Sequence, residues 1–107
     1  MIANSTIQSI DMIGHGIVLL EKIDWTHQDS FFFHSGSAPS DEVLQAAGIG
    51  KDVLILVDPC LPHSHGKLSL YERQKHDTSE DRYFMSLDEF PEFIHCGRVI
   101  VVMNDSE

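Results

Sequence analysis

Two short, uninterrupted apolar runs constrain this chain more than anything else in it: residues 53–57, Val-Leu-Ile-Leu-Val, and residues 99–103, Val-Ile-Val-Val-Met. Neither alternates polar with apolar, so neither suits a strand with one wet face. A β-branched run of this kind reads as a strand covered on both sides. Each is also far shorter than the ~20 apolar residues that a helix needs to cross a bilayer. Two central strands are therefore expected, and the remaining residues must supply edges and cover. Asp58-Pro59 closes the first run, because proline has no N–H to give to a sheet ladder.

The segment 6–24 is dense in apolar residues and broken by Gly14-His15-Gly16, which predicts two strands around a tight turn. A helix competes, since Ile7, Ile10 and Ile13 recur at three-residue spacing, but two internal glycines cost it roughly 1 kcal/mol each. Phe31-Phe32-Phe33-His34 predicts a third strand, completing an opening antiparallel meander.

Ser40-Asp41-Glu42 offers a capping hydroxyl and then acids where a helix dipole favours them. Val43, Leu44 and Ala47 share a face, and Gly48 is placed to end a helix of about two turns. Residues 60–80 are polar and weakly periodic, which suggests a long surface loop holding a short strand near residues 67–71. Residues 82–85 read as a strand. Ser86-Leu87-Asp88-Glu89 then matches a capping box, with Phe90, Phe93 and Ile94 as the apolar face of a second helix that Gly97 closes. Asn104 begins a frayed tail.

The elements read β-β-β-α-β-(β)-β-α-β. They predict an α+β fold: a single two-layer domain over residues 1–107, its mainly antiparallel sheet packed against one or two short helices. Nothing in the chain marks an internal boundary, and 107 residues suit one domain.

Composition matters chiefly through charge. Seven Lys and Arg against 17 Asp and Glu leave a net −10, which repels polyanions and argues against nucleic acid or a membrane surface as partner. The acids are unevenly spread: Asp77, Glu80, Asp81, Asp88, Glu89 and Glu92 share 16 residues with one base, Arg82, and carry half the net charge. Such a ridge would steer a basic protein and raise its association rate. Two cysteines, Cys60 and Cys96, make no cystine framework, and the start of the chain lacks signal-peptide character; a cytoplasmic setting is expected.

One cluster has metal-ligand character. Cys60, His63 and His65 follow the first central strand, and a thiolate with two imidazoles suits zinc, with His95 and Cys96 available to complete four ligands. The spacing is not that of a zinc finger or ribbon, so the leading expectation is no cofactor, two buried thiols and solvated loop histidines. There is no phosphate-binding loop and no nucleophile elbow.

Three functions are thus in view. The first is a small, acidic, non-enzymatic protein-binding domain: an immunity or inhibitor protein that neutralises a basic, nuclease-type toxin or enzyme, with the six ridge carboxylates in contact. The second is a small zinc-binding protein or metal-dependent enzyme built on Cys60, His63 and His65. The third is an adaptor or structural subunit of a larger assembly.

Overall fold

The computed structural model describes residues 11–14, 16–24, 26, 31–37, 42–74 and 82–104. Along the chain they form β1 (Asp11–Gly14), β2 (Ile17–Leu19), β3 (Phe32–Ser37), α1 (Glu42–Ala46), β4 (Asp52–Asp58), β5 (Ser69–Glu72), β6 (Tyr83–Ser86) and β7 (Ile94–Asn104). The fold is mainly antiparallel sheet, in which β7 is the organising strand. One edge of β7 pairs with β4. The other pairs with β2 near its C-terminal end and with β5 near its N-terminal end. The sheet runs on from β4 to β3 and from β5 to β6. It curls, so that β3 and β6 meet and the rings of His34 and Tyr83 lie 5.0 Å apart.

Both apolar runs form central strands, and the register explains why neither alternates. A bulge places Ile100 of β7 outside the β4 ladder: Leu56 pairs with Val101 and the next residue, Val57, with Val99. An extra residue shifts the side-chain alternation of one strand relative to its partner. Val99 and Val102 accordingly join Ile55 and Val57 in the larger core cluster, while Ile100 and Val101 join Leu56 in a second one. Partly buried Ile17, Leu19, Ile23, Phe31 and Leu61 cover that second cluster. A run without polar residues is what a strand feeding two clusters requires.

The hairpin over Gly14 to Gly16 forms as expected, and Gly16 has a positive φ of 78°. The opening meander does not: β2 pairs with β7, and β3 pairs with β4. The apolar edge of β7 takes up β2, and this long-range pairing leaves no local signature. Helix α1 ends in a Schellman turn, in which Ile49 N–H donates to Leu44 O at 2.9 Å and Gly48 N–H to Gln45 O at 3.0 Å. Leu44, Ala47 and Ile49 are buried in the larger cluster.

The expected second helix is replaced by a turn and the start of β7. Ser86 Oγ accepts from Asp88 N–H at 2.9 Å, closing a local turn two residues on rather than capping a helix. Phe93 N–H donates to Phe90 O across Pro91-Glu92, where proline suits the second position of a turn. Ile94 pairs with Glu72 of β5, which extends β7 to 11 residues. Nor is Asn104 a frayed end: its backbone N–H donates to Gly16 O, and its carboxamide donates to Gly48 O at 2.7 Å and accepts from Gly50 N–H.

Candidate functional site

The site lies on β5, β7 and the loops that reach them. Residues 60–80, expected to be mostly surface loop, contain β5, whose Ser69, Leu70 and Tyr71 are all buried. Alternation along the strand divides these side chains. Leu68 and Leu70 enter the larger core, whereas Ser69 and Tyr71 share the other face. Tyr71 pairs with His95 in the ladder.

Around Tyr71 lies a compact set of polar and aromatic groups. Its hydroxyl is 2.9 Å from His63 Nδ1 and also takes a backbone hydrogen bond from Phe90. His95 Nε2 lies 2.9 Å from Ser69 Oγ, and the two imidazole centroids are 6.3 Å apart. Burial pushes the Tyr71 phenol above its ordinary value, and Glu89 adds to the effect. Burial also holds the His95 imidazole below its ordinary value; the nearby His63 and Arg98 act in the same direction, and Glu89 opposes them.

Aromatic packing extends this set into the loop between β6 and β7. Tyr71 stacks on Phe84 at 5.7 Å and meets Phe90 edge-on at 5.8 Å; Phe84 meets Phe90 at 5.6 Å and Phe93 at 5.3 Å. The Arg73 guanidinium sits 4.4 Å over the Phe84 ring. The rings pin the loop from beneath, and its three acids, Asp88, Glu89 and Glu92, are exposed. They are half of the predicted ridge. The others, Asp77, Glu80 and Asp81, lie outside the described residues.

The loop 60–66 is tied down separately. Cys60 N–H donates to the buried Asp58 carboxylate at 2.9 Å, which turns the chain out of β4. Arg98 donates twice to Pro62 O, at 3.0 and 2.7 Å, and pairs with Glu21 at 2.8 Å in a mostly buried ion pair. These bonds deliver His63 to Tyr71 and leave Cys60 and His65 exposed. Cys96, one residue beyond His95, packs against the larger core cluster instead, and burial raises its thiol pKa. Neither cysteine is in a disulfide. Among the described residues no three His, Cys, Asp or Glu side chains stand together as a metal-holding group.

A Ser–His contact invites comparison with a nucleophile and its base. Ser69, however, is wholly inaccessible, so no substrate carbonyl can reach its Oγ in this fold. The sequence reading missed Tyr71, Phe90 and Phe93 as parts of one site. A signal existed in the alternation Leu68-Ser69-Leu70-Tyr71, but it spans four residues inside a polar stretch. No helix among the described residues is long and apolar enough to cross a membrane. Set against protein-family models, curated proteins and solved structures, the chain matches none.

Proposed function

We propose that this protein is a non-enzymatic binding domain that engages a basic protein through the acidic loop between β6 and β7. The observation that carries this reading is the combination of three exposed carboxylates, Asp88, Glu89 and Glu92, with the aromatic packing that holds their loop. A fixed charge array loses little conformational freedom on binding, so more of its electrostatic attraction remains as affinity. Charge of one sign across an interface also speeds encounter with a partner of the other sign.

The partner class that fits is a cytoplasmic protein with a cationic groove, such as a nuclease-type toxin or enzyme. Carboxylates would occupy the positions of substrate phosphates, and binding would block the groove. This is the action of an immunity or inhibitor protein. The experiment is affinity capture from the native host followed by titration of the complex with salt. Affinity should fall steeply between about 50 and 500 mM, the range over which the screening length shrinks from more than 10 Å to a few ångströms. A partner held equally tightly at both ends of that range would overturn the reading.

A further inference from the structure

We propose that the free edge of β3 pairs antiparallel with the same strand of a second copy of this chain, joining the two sheets about a two-fold axis. β3 ends the sheet path: it pairs with β4 on one side and with no strand among the described residues on the other. β6 meets it through the rings of His34 and Tyr83, and no ladder joins the two strands. Phe33, Ser35, Gly36 and Ser37 are exposed, and a side chain added at Gly36 would meet no atom within 4 Å. An open strand edge is a template for another strand, and proteins that avoid such pairing shorten the edge, bend it with a bulge, or place charge or proline on it. The edges at β1 and β6 carry these devices. β1 has four residues, begins with Asp11 and is bulged between Met12 and Gly14. β6 also has four residues and follows Arg82, which pairs with Glu72. β3 has six residues, Phe-Phe-His-Ser-Gly-Ser, in unbroken register with β4 and without an acid, a lysine, an arginine or a proline.

The chemistry of the edge selects its occupant. A row of side chains crosses one sheet face from Leu19 through Val101 and Leu56 to Phe33, each paired with the next across the ladders. Val101 and Leu56 are 5% and 6% exposed, whereas Phe33, at the end of the row, is 55% exposed. A strand added beyond β3 covers it, and a two-fold antiparallel pair places both Phe33 rings on the same face of the joined sheet. With no acid on β3, a basic chain finds no counter-charge there, so this edge and the acidic loop suit different partners. A second β3 brings no acid, lysine or arginine opposite itself, which spares the pair the cost of like charges across a ladder. The net −10 on each copy repels at longer range, and salt screens that repulsion. Two six-residue edges make a contact at the small end of the interface range, so the dimer is weak and concentration-dependent. The pairing stands independently of the proposed function: salt strengthens it, whereas salt weakens a complex with a basic protein.

Sedimentation equilibrium of the unaltered protein from about 10 μM to about 1 mM, the range in which small interfaces associate, tests it. The apparent mass should rise toward that of two chains, and should rise further at about 500 mM salt than at about 50 mM. NMR of the same samples should place the concentration-dependent amide shifts on residues 32–37 and their β4 partners, and not on the loop between β6 and β7. S35E adds a charge to the edge and should hold the protein monomeric over the whole range, while F33T should weaken the dimer. I94T, at the other exposed large apolar residue, should leave it unchanged. A monomer at every concentration and both salts would overturn the proposal. So would a dimer that S35E, folded by circular dichroism, leaves intact, a dimer that weakens as salt rises, or amide shifts in the unaltered protein that spare β3.

Discussion

Asn104 and Arg98 each fasten segments distant in sequence, and both do so through fixed arrays of donors and acceptors. The Asn104 carboxamide spans the end of α1 and the start of β4 by bonding Gly48 O and Gly50 N–H together. Replacement by alanine leaves both backbone groups without that partner, and a loss of about 1 to 3 kcal/mol in urea unfolding is predicted. Arg98 forks onto Pro62 O and reaches Glu21, each partner in the ion pair being 13% exposed. The variant R98K keeps the charge but not the planar fork, so it should destabilise measurably. R98A leaves the Glu21 carboxylate buried and unpaired, and a loss of about 3 to 5 kcal/mol is expected in the same assay. Neither role is visible in sequence. An Asn near the end of a strand and an Arg beside a glycine have no local pattern, and their partners lie 36 to 77 residues away.

Individual elements were legible where local chemistry decides them. The β-branched runs of β4 and β7, the glycine turn between β1 and β2, and the Gly48 stop of α1 follow from residues next to one another. Pairing was less legible. Whether β2 lies beside β3 or β7 depends on which apolar edge is free once β7 forms. Residues 86–94 carry a capping pattern, yet the same Phe90 and Phe93 that could line a helix face gain more by packing on Phe84 and Tyr71, and Ile94 gains a ladder partner. Gly97 is the point where β7 can serve both β4 and β5. Its φ is +152°, and a Cβ there would come within 2.7 Å of Asp58 O, Pro59 Cα and Val57 Cγ1. Two of those atoms are backbone and have little freedom to yield. The variant G97A should therefore cost roughly 2 kcal/mol or more, with β5 and β6 losing amide protection in preference to the β1–β2 hairpin.

Over the whole molecule, a net charge of −10 repels polyanions, which is why the proposed partner is a basic protein. Charge alone does not locate an interface, because exposed acids also occur on α1 and at the start of β4, at Glu42 and Asp52. The loop between β6 and β7 differs in being held by packed rings, and it carries Asp88, Glu89 and Glu92, all exposed. His63, grouped in sequence with Cys60 and His65, lies against Tyr71 in the fold. The spacing of Cys60, His63 and His65 says nothing about which of these loop residues is drawn to Tyr71.

The most direct test compares two charge-reversed variants of equal net charge for capture of a host protein, quantified by mass spectrometry at low and high salt. One variant alters the loop, D88K/E89K/E92K; the control, D24K/E42K/D52K, alters three exposed acids outside it. The unaltered protein and the control should retain a basic partner at low salt, while the loop variant should lose it by more than about tenfold, a change of roughly 1.4 kcal/mol or more in binding free energy. Equal retention by the loop variant and the control would contradict the proposed function.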